Sequence, residues 1–315
     1  MTTANSLKVD LVGVGLNATD MLIALAEHPV PGSKVEFRSS SLLPGGQVAS
    51  AVMACQRWGL RTRYVGKLGD DIAAQIHRDE FARTGVETQI IVVPGCASQQ
   101  AVILVDSQGE RTVLWRRDQQ LGLRPEELKR DWIVNARILH VDGYDTAAAT
   151  VAAGWARAAG IPVIADLDDT YSGVEALLEN IDYAIVSKDV PERLLGEDDL
   201  EKSLPLMQRR YGCALTAATL GQDGVLAWDG KQFHYACAYQ VAAIDTTGAG
   251  DTFHAGFIYG LLQGWPLQRR LDFACAAAAL NCMGVGARGG IQPVEMIESL
   301  MATGAQYEPV FDLAK

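Results

Sequence analysis

The sequence predicts an α/β fold in which a mostly parallel central sheet is covered by helices on both faces. Three observations support this prediction. Short apolar runs alternate with helical patterns along most of the 315 residues, which is typical of parallel sheets. Two stretches interrupt this alternation and indicate a separate small β element. Near the C-terminal end a glycine-rich turn leads into an apolar helix, an arrangement that suits anion binding.

The alternating elements are assigned from the spacing of apolar residues. Continuous or alternating apolar runs predict strands, and apolar residues three or four apart predict helices. Short strands separated by helices of ten or more residues are joined by crossovers, so the strands run parallel. The predicted strands are Val9–Val14, Thr62–Val65, Ile138–Val141, Pro162–Asp166, Tyr183–Val186 and Ala214–Thr219, and the predicted helices are Gln47–Trp58, Ile72–Thr84 and Thr146–Ala159.

The two interruptions lie in the first half of the chain. Ser33–Leu43 is extended and mixed in polarity, between Pro31-Gly32 and the segment Pro44-Gly45-Gly46. Gln99–Trp115 predicts a hairpin, because two period-two runs flank a polar turn with no helix between them. The predicted strands of this hairpin are Ala101–Val105 and Arg111–Trp115, and its turn is Asp106–Glu110. We therefore predict one domain over residues 1–315, with inserted segments at about 33–44 and 97–117.

Composition and charge restrict the class of partner. A formal net charge of −11 argues against nucleic acid or an anionic membrane as the partner, because both reward clustered Lys and Arg. Six cysteines without a CxxC pair indicate neither a zinc site nor a disulfide framework. The N-terminal residues do not resemble a signal peptide, and the most apolar window is too short to span a bilayer. We expect a soluble, cytoplasmic protein.

The segment Asp245-Thr246-Thr247-Gly248-Ala249-Gly250-Asp251-Thr252-Phe253 carries the strongest functional signal. Its small residues leave backbone N–H groups uncovered at the start of an apolar helix, where the helix dipole also favours an anion. A carboxylate beside such a pocket would repel a bound phosphate. Asp251 suits that position if it accepts the proton of a hydroxyl that attacks the phosphate. The segment therefore predicts the catalytic corner of a phosphotransferase, with Gly248, Ala249 and Gly250 as its anion-binding backbone.

These nine residues match, position for position, the C-terminal signature of the ribokinase-like (PfkB) family of carbohydrate kinases, and the chain resembles that family from Val9 to Gly290. The resemblance implies a ribokinase-like three-layer α/β/α fold in which the two inserted segments form a β-lid over the sugar site. It also implies ATP and Mg²⁺ as cofactors, a sugar as the acceptor and, in some members, a homodimer through the lid. Asp251 then acts as the base and the Gly248–Gly250 amides stabilise charge on the transferred group.

The resemblance also implies where the sugar binds. Asp20, expected at the carboxyl end of the first strand, is similar to the family's sugar-binding Asp, although a helix N-cap is the alternative for it. Asn17 is a further candidate on the same loop. A dinucleotide site in this loop is disfavoured, because no third glycine follows Gly15 and the next polar residues are Asn and Asp.

The segment Pro44–Ala51 resembles the family's N-terminal signature, with Gly45 and Gly46 allowing close approach to the sugar. The family usually has Asn where this chain has Ser50, which is shorter, so hydroxyl recognition is expected to differ. Gln47, which has a longer side chain, is a candidate to contact the sugar hydroxyl that Ser50 is too short to contact. Members acting on phosphorylated sugars often carry a Lys here, and its absence favours an unphosphorylated pentose or hexose with a primary alcohol as acceptor.

The metal site departs from the family pattern. Many members carry N-x-x-E, which organises Mg²⁺ through water, whereas this chain has Ser187 and Val190 at those positions and resembles the ketohexokinase branch. Asp166 and Asp189 are the candidates to replace the missing carboxylate, since Mg²⁺ needs few protein ligands when phosphates and waters complete its shell. Asp245 and Thr247, with the region of Gly286, resemble the K⁺ loop of several members.

The nucleotide site is predicted from two further segments. Thr219-Leu220-Gly221-Gln222-Asp223-Gly224 matches the family's T-x-G-x-x-G, which lines the nucleotide together with Ser187. The small residues of Phe273–Ala279 leave room for a flat base, and Cys275 and Ala278 are the candidates to contact adenine; tight helix packing is the alternative for either residue. Arg116 and Arg117 either clamp an anionic group or are solvated, and we favour the solvated reading.

Two other functions stay open. One is a nucleoside kinase of the same fold, for which only Trp115 suggests an aromatic pocket. The other is a catalytically silent sugar-binding protein, which the missing N-x-x-E motivates and Asp251 argues against.

Overall fold

The computed structural model describes residues 8–107 and 111–311. These residues form thirteen strands and ten α-helices. The strands are β1 (Val9–Val14), β2 (Ala18–Ala24), β3 (Ser39–Gly45), β4 (Thr62–Leu68), β5 (Glu87–Val92), β6 (Gln100–Val105), β7 (Arg111–Arg116), β8 (Ala136–Asp142), β9 (Val163–Leu167), β10 (Tyr183–Ser187), β11 (Leu215–Thr219), β12 (Val225–Trp228) and β13 (Phe233–Ala236).

The helices alternate with these strands as the sequence predicts. Gln47–Trp58 was predicted one residue too long, and the predicted helix Ile72–Thr84 is observed with the same bounds. The helices are α1 (Gln47–Arg57), α2 (Ile72–Thr84), α3 (Arg130–Val134), α4 (Thr146–Ala158), α5 (Val174–Leu178), α6 (Val190–Leu195), α7 (Leu200–Tyr211), α8 (Ala249–Leu262), α9 (Leu267–Asn281) and α10 (Val294–Thr303).

A nine-stranded sheet forms the middle layer, in the order β13-β12-β11-β10-β9-β8-β1-β4-β5. Seven of its strands pair in parallel, namely β1, β4, β5 and β8 to β11. The remaining two, β12 and β13, pair antiparallel at one edge. Successive side chains point to opposite faces. Leu11 accordingly belongs to the hydrophobic cluster that includes residues of α1, α8 and α9, and Val12 belongs to the cluster that includes residues of α4, α5 and α7. The predicted three-layer α/β/α architecture is confirmed.

A separate four-stranded sheet, which we call the small sheet, has the order β3-β2-β6-β7. It contains the predicted hairpin, although residues 108–110 of the predicted turn lie outside the described residues. The extended segment Ser33–Leu43 was placed too early, since its strand spans Ser39–Gly45. The structure also corrects the position of Asp20, which lies within β2 of the small sheet and not at the end of β1.

Cross-strand pairing assigns residues of the small sheet to its two faces. Asp20 pairs with Leu43 on one side and Ala101 on the other, and Ala101 pairs with Trp115. These four residues therefore share one face, and the adjacent row lies on the opposite face. That opposite row consists of Leu42, Met21, Val102 and Leu114.

The carboxyl ends of β1, β8, β9, β10 and β11 lie at one edge of the large sheet, where α/β folds collect functional groups. Within the described part of the chain, no helix has both the length and the hydrophobicity that crossing a membrane requires.

Candidate active site

The glycine-rich turn adopts the conformation that its sequence demands. Gly248 is the N-cap of α8 and has a left-handed backbone with φ of 76°. A Cβ atom here would lie 2.3 Å from the carbonyl oxygen of Ala287. A Cβ atom on Gly250 would meet nothing within 4 Å. Gly248 therefore packs against protein, whereas Gly250 borders open space at the N-terminus of α8, where N–H groups lack helical partners.

Asp251 lies in the first turn of α8 and is half-buried. Burial raises the pKa of its carboxyl group to about 8, and the nearby carboxylate of Asp166 raises it further in the same direction. His254, a hydrogen bond from the Ser50 side chain and the charge of Arg288 lower it. A general base accepts a proton only when it is ionised, so with a pKa of about 8 it is the ionised fraction of Asp251 that can act as the base near neutral pH.

Asp166 is buried near the end of β9, close to Asp251. Its Oδ2 lies 3.3 Å from Nδ1 of His254, whose Nδ1 also lies 2.8 Å from the carbonyl oxygen of Gly250. Burial and the charge of Asp168 raise the pKa of Asp166. Burial lowers the pKa of His254, which favours the neutral ring. Two neighbouring carboxyl groups with raised pKa values, Asp166 buried and Asp251 half-buried, are an environment that a cation would stabilise.

The other strand-end candidates differ from Asp166. Ser187 is half-buried and pairs with Thr219 in the sheet register. Asp189 is exposed at the start of α6, so the structure gives Asp166 and not Asp189 the buried setting of a ligand. Asp142 accepts the amide protons of Leu16 and Tyr144 at 2.6 and 3.0 Å and thereby fixes the loop after β1.

Hard oxygen donors suit Mg²⁺, which binds proteins through one or two carboxylates and completes its shell with phosphates and water. Among the described residues there is no cluster of three or more side chains that could hold a metal alone. Asp166 beside the glycine-rich turn therefore fits a Mg²⁺ ion that arrives with a nucleotide.

The residues predicted to bind the sugar lie close together at the turn between β3 and α1. The ideal Cβ of Gly45 would lie 2.5 Å from Oδ2 of Asp20, and that of Gly46, whose φ is 92°, would lie 2.4 Å from Cα of Asn17. Asp20 is 8% exposed, and burial raises the pKa of its carboxyl group to about 6. Gln47 has a buried Oε1 without a partner among the described residues, so it can accept a bond from a ligand hydroxyl.

Asn17 is less available than the sequence suggested. Its amide nitrogen donates to the Tyr64 hydroxyl at 2.5 Å and to the Lys67 carbonyl at 2.9 Å. Both amide protons are therefore used within the protein, which leaves only the side-chain oxygen for a substrate.

Arg288 contacts the predicted sugar turn, and sequence reasoning did not single it out. It is 4% exposed. Its Nε donates to Oγ of Ser50 at 3.2 Å, its Nη2 donates to the carbonyl oxygen of Gly45 at 2.8 Å, and its Nη1 pairs with the carboxylate of Glu80. Glu80 also pairs with Arg57 at 3.3 Å. The segment Gly286–Gly290 carries a lone charged residue among glycines, which is the only sequence signal for this role.

A cleft of about 310 Å³ lies beside the glycine-rich turn. Its walls come from the loop after β11, the turn and helix α9, as predicted for the nucleotide site. Ser187 and Gly248 are not among the residues that line it, and two tyrosines that were not predicted are. The predicted residues that line the cleft are Thr219, Gly221, Gly224, Ala249, Gly250, Cys275 and Ala278, and the added tyrosines are Tyr239 and Tyr307.

The loop predicted to hold a monovalent cation is tightly organised. The Asp245 carboxylate accepts the amide protons of Thr247 and Gly286 at 2.9 and 2.8 Å. Asn281 donates to the carbonyl oxygens of Thr247 and Ala287 at 3.1 and 3.2 Å. Oγ1 of Thr247 is buried without a partner among the described residues.

The chain is similar to known kinases over most of its length. It is 25% identical over 297 residues to the 5-dehydro-2-deoxygluconokinase of Geobacillus kaustophilus, covering 86% of this chain and 87% of that protein. A protein from Agrobacterium tumefaciens provisionally named a ribokinase has a similar structure, with a TM-score of 0.86, 27% identity and coverage of 93% and 97%. An E. coli protein provisionally named ribokinase II, solved with ATP and Mg²⁺, has a TM-score of 0.83, 19% identity and coverage of 93% and 99%.

These likenesses agree with the geometry of the site, and the fold is ribokinase-like. The model of the pfkB family of carbohydrate kinases matches this sequence over residues 10–293. The chain therefore belongs to the pfkB family of carbohydrate kinases and is a phosphotransferase that acts on a sugar hydroxyl.

Proposed function

We propose that the protein transfers the γ-phosphoryl group of ATP to a primary hydroxyl of a small unphosphorylated sugar, with Asp251 as the general base. The observation that carries this proposal is the position of Asp251. Its carboxyl group lies in the first turn of α8, one residue after Gly250, which borders open space. A phosphoryl group at that N-terminus and a hydroxyl at the carboxylate would be neighbours, as an in-line transfer requires.

In this reaction the chain mainly positions groups and stabilises charge. Asp251 accepts the hydroxyl proton as the bond to phosphorus forms. The start of α8 would direct the amides of Gly248 and Gly250 at the phosphoryl oxygens. The amide of Ala249, which the sequence also predicted for this role, donates to the carbonyl oxygen of Thr246 at 3.2 Å and is therefore already used within the turn. Asp166 would hold Mg²⁺, which neutralises charge on the phosphates when bound. Asp20 and Oε1 of Gln47, which has no partner within residues 8–107 and 111–311, would orient the sugar through its other hydroxyls.

Three basic residues near the proposed sugar site are already paired with carboxylates, which favours a neutral sugar as the substrate. Lys67 bonds both carboxylate oxygens of Glu127, at 2.9 and 3.0 Å. Arg117 pairs with Asp145 at 2.6 Å and stacks on Tyr144, so it is not solvated as the sequence suggested. Arg288 is paired with Glu80. Each of these three cations is already paired with a carboxylate, whereas a sugar phosphate needs uncommitted cations or donors.

A second acceptor is 5-dehydro-2-deoxygluconate, a sugar acid. The observation in its favour is that six related proteins carrying the name 5-dehydro-2-deoxygluconokinase are 24–26% identical to this chain. The paired state of the nearby cations weighs against a carboxylate, so this acid is the alternative and not the first choice.

The small sheet is proposed to act as the lid over the sugar. Asp20 and Trp115 share one of its faces, and Asp20 also contacts the sugar turn at Gly45. Trp115 is 65% exposed. Closure of this face over an acceptor would cover the indole and exclude water, which would otherwise attack ATP.

The opposite face of the small sheet is proposed to join a second copy of the chain. Its row of four residues is apolar, and Met21, Leu42 and Leu114 are exposed. Exposed apolar rows on a sheet mark interaction surfaces. Met21→Asp with Leu114→Asp should convert a dimer into a monomer in size-exclusion chromatography with light scattering, and a wild-type monomer would contradict this assignment.

The loop of Asp245 and Thr247 is proposed to bind K⁺. The support is that Asp245 and Asn281 fix its backbone while Oγ1 of Thr247 has no partner in the described part of the chain. Replacing KCl by choline chloride at constant ionic strength should lower turnover, and unchanged turnover would remove K⁺ from the proposal.

The decisive experiment is an ADP-release screen with Mg²⁺ and ATP. The acceptors are free aldoses and ketoses, 5-dehydro-2-deoxygluconate, sugar phosphates and nucleosides, with Asp251→Asn as the inactive control. We expect turnover with a free pentose or hexose and a loss of at least about 10³-fold in Asp251→Asn. Turnover only with nucleosides would favour a nucleoside kinase, and sugar binding without ADP release from any acceptor would favour a silent sugar-binding protein.

A further inference from the structure

A second pocket, of about 430 Å³, lies between α1, α2, β3 and the loop after α9. We call it the arginine pocket, because Arg57, Arg83 and Arg288 line it from three of these segments. None of the residues proposed to hold the sugar, the phosphoryl group or Mg²⁺ is among those that line it. Its volume lies in the range of pockets that hold small organic ligands. The arginine pocket is therefore a candidate for a second binding site.

Helix α2 turns one face toward the arginine pocket. The residues of this face follow the spacing i, i+3, i+4, i+7, which places them on one side of a helix. They are Ile76, Asp79, Glu80 and Arg83. The apolar part of the wall consists of Leu43, Pro44, Ile76 and Val285. A pocket with a charged side and an apolar side suits a ligand that has a charged group on an organic body.

The positive charges in the arginine pocket exceed the negative ones. Glu80 pairs with Arg57 at 3.3 Å and also with Arg288, so one carboxylate serves two guanidiniums. Arg83 is exposed and makes no hydrogen bond or ion pair with the described part of the chain. Asp79, the other carboxylate that lines the pocket, is exposed. Three arginines and two carboxylates leave an excess of one positive charge, in a chain whose net charge is −11.

This excess favours an anion with several oxygens. Burial lowers the pKa of the Arg57 guanidinium against the opposing effect of Glu80, and the charges of Arg288 and Arg83 lower it further. An anion would relieve this repulsion. Guanidinium groups bind phosphates and carboxylates through paired N–H groups. A phosphate monoester has a charge of about −1.5 to −2 at pH 7 and three acceptor oxygens, so it can bond two guanidiniums at once, which a carboxylate with a single charge does less well.

We propose that the arginine pocket binds a small organic phosphate, with its phosphate group at Arg57 and Arg83 and its organic body against the apolar wall. This site is separate from the proposed reaction. The inference therefore does not depend on Asp251 acting as a base.

The arginine pocket also borders the sugar turn. Pro44 lines the pocket and precedes Gly45, whose carbonyl oxygen accepts from Nη2 of Arg288 at 2.8 Å. Nη1 of Arg57 donates to the carbonyl oxygen of Arg288 at 3.0 Å. A ligand bound to Arg57 would therefore hold the loop after α9 and the sugar turn together. We expect such a ligand to lower the KM for the sugar, because it orders the turn before the sugar binds.

The first test measures binding by isothermal titration calorimetry. The probes are inorganic phosphate, phenyl phosphate and benzoate. The protein is saturated with Mg²⁺ and a non-hydrolysable ATP analogue, so that the proposed phosphoryl site is filled. Phenyl phosphate has both the dianion and an apolar body, so it should bind at least about tenfold more tightly than either other probe. Equal affinity for inorganic phosphate would overturn the organic body, and tighter binding of benzoate would overturn the phosphate group.

Matched arginine variants locate the binding. Arg83→Gln removes an exposed guanidinium that makes no hydrogen bond or ion pair within residues 8–107 and 111–311, so the fold should be kept. It should weaken the binding of phenyl phosphate by about tenfold or more. Arg78→Gln makes the same change of charge on α2 outside the pocket and should stay within about twofold of wild type. Absence of binding, or equal binding by wild type and Arg83→Gln, would overturn the proposal.

The coupling to the sugar turn is tested with the acceptor that gives turnover. Phenyl phosphate should lower the KM for that acceptor by at least about threefold in wild type and in Arg78→Gln, and should leave it unchanged in Arg83→Gln. An unchanged or raised KM in wild type would overturn the coupling. The calorimetry requires no turnover. If the protein phosphorylates no acceptor, the proposed function fails, and the binding data still decide whether the arginine pocket takes an organic phosphate.

Discussion

The carbonyl oxygen of Ala287 occupies the space in which a side chain on Gly248 would have to stand, at 2.3 Å from its ideal Cβ. The same turn contains Gly250, whose ideal Cβ meets nothing within 4 Å. Two glycines in one motif are therefore required for different reasons. Gly248 is required by the fold, whereas a side chain on Gly250 would be tolerated by the fold, so we attribute this glycine to the proposed binding of a phosphoryl group.

Gly248→Ala should destabilise the protein. The substitution places a Cβ atom in a left-handed backbone with φ of 76° and against the backbone of Ala287. We expect a loss of about 2 kcal/mol or more in the free energy of unfolding. Urea unfolding followed by circular dichroism measures this loss. A midpoint equal to that of wild type would show that the loop after α9 moves without cost.

Gly250→Ala is the matched variant. The new methyl group contacts no protein atom, and alanine is the better helix former, so stability should be unchanged or slightly raised. The methyl group would, however, stand in the space proposed for phosphoryl oxygens. We expect kcat/KM for ATP to fall by at least about tenfold. Normal kinetics in this variant would mean that the triphosphate does not approach Gly250.

The sequence predicted the large sheet and the glycine-rich turn at the start of α8 well because both depend on local patterns. The apolar runs that form β1 and β9 to β11 are nearly as long as the strands observed. The glycine-rich turn and the apolar start of α8 are likewise contiguous in sequence. Patterns of this kind require no knowledge of which distant residues meet.

The errors concern contacts between distant segments. Asp20 lies in β2, which pairs with β3 and β6. The polar and small residues around Asp20 predicted a loop because the local sequence alone does not show this pairing. Arg288 meets Ser50, 238 positions away, and Glu80, 208 positions away. No local pattern marks such partners. The pairing of Arg117 with Asp145 was missed for the same reason.

Filling the nucleotide cleft should affect ATP and not the sugar. Ala278 is half-buried on α9 and lines the cleft. Ala278→Leu adds three carbons to this wall, and leucine is compatible with the helix. We expect the KM for ATP to rise by about tenfold or more while the KM for the sugar stays unchanged, since filling a pocket removes contacts to one ligand only. Equal changes in both constants would indicate a general distortion.

Asp166 and Asp189 can be separated as metal ligands by conservative variants. Asp166 is buried beside Asp251, and Asp189 is exposed at the start of α6. Asp166→Asn should raise the Mg²⁺ concentration needed for half-maximal turnover at saturating ATP by about tenfold or more, because it removes a hard anionic ligand. Asp189→Asn serves as the control and should behave as wild type. The reverse order of effects would transfer the metal site to Asp189.

The pKa of Asp251 also predicts how stability depends on pH. Burial and Asp166 raise this pKa from 3.8 to about 8 in the folded protein. A carboxyl group with a raised pKa stabilises the fold fully below its unfolded pKa, and this contribution is lost as pH rises to the folded value. Relative to Asp251→Asn, the wild-type protein should therefore lose stability from about pH 4 to pH 8, by at most about 1.4 kcal/mol per pH unit. Thermal melting of both proteins at pH 5, 7 and 9 measures the difference, with Asp189→Asn as a control for loss of a surface charge. Parallel curves for wild type and Asp251→Asn would show that Asp251 stays ionised throughout.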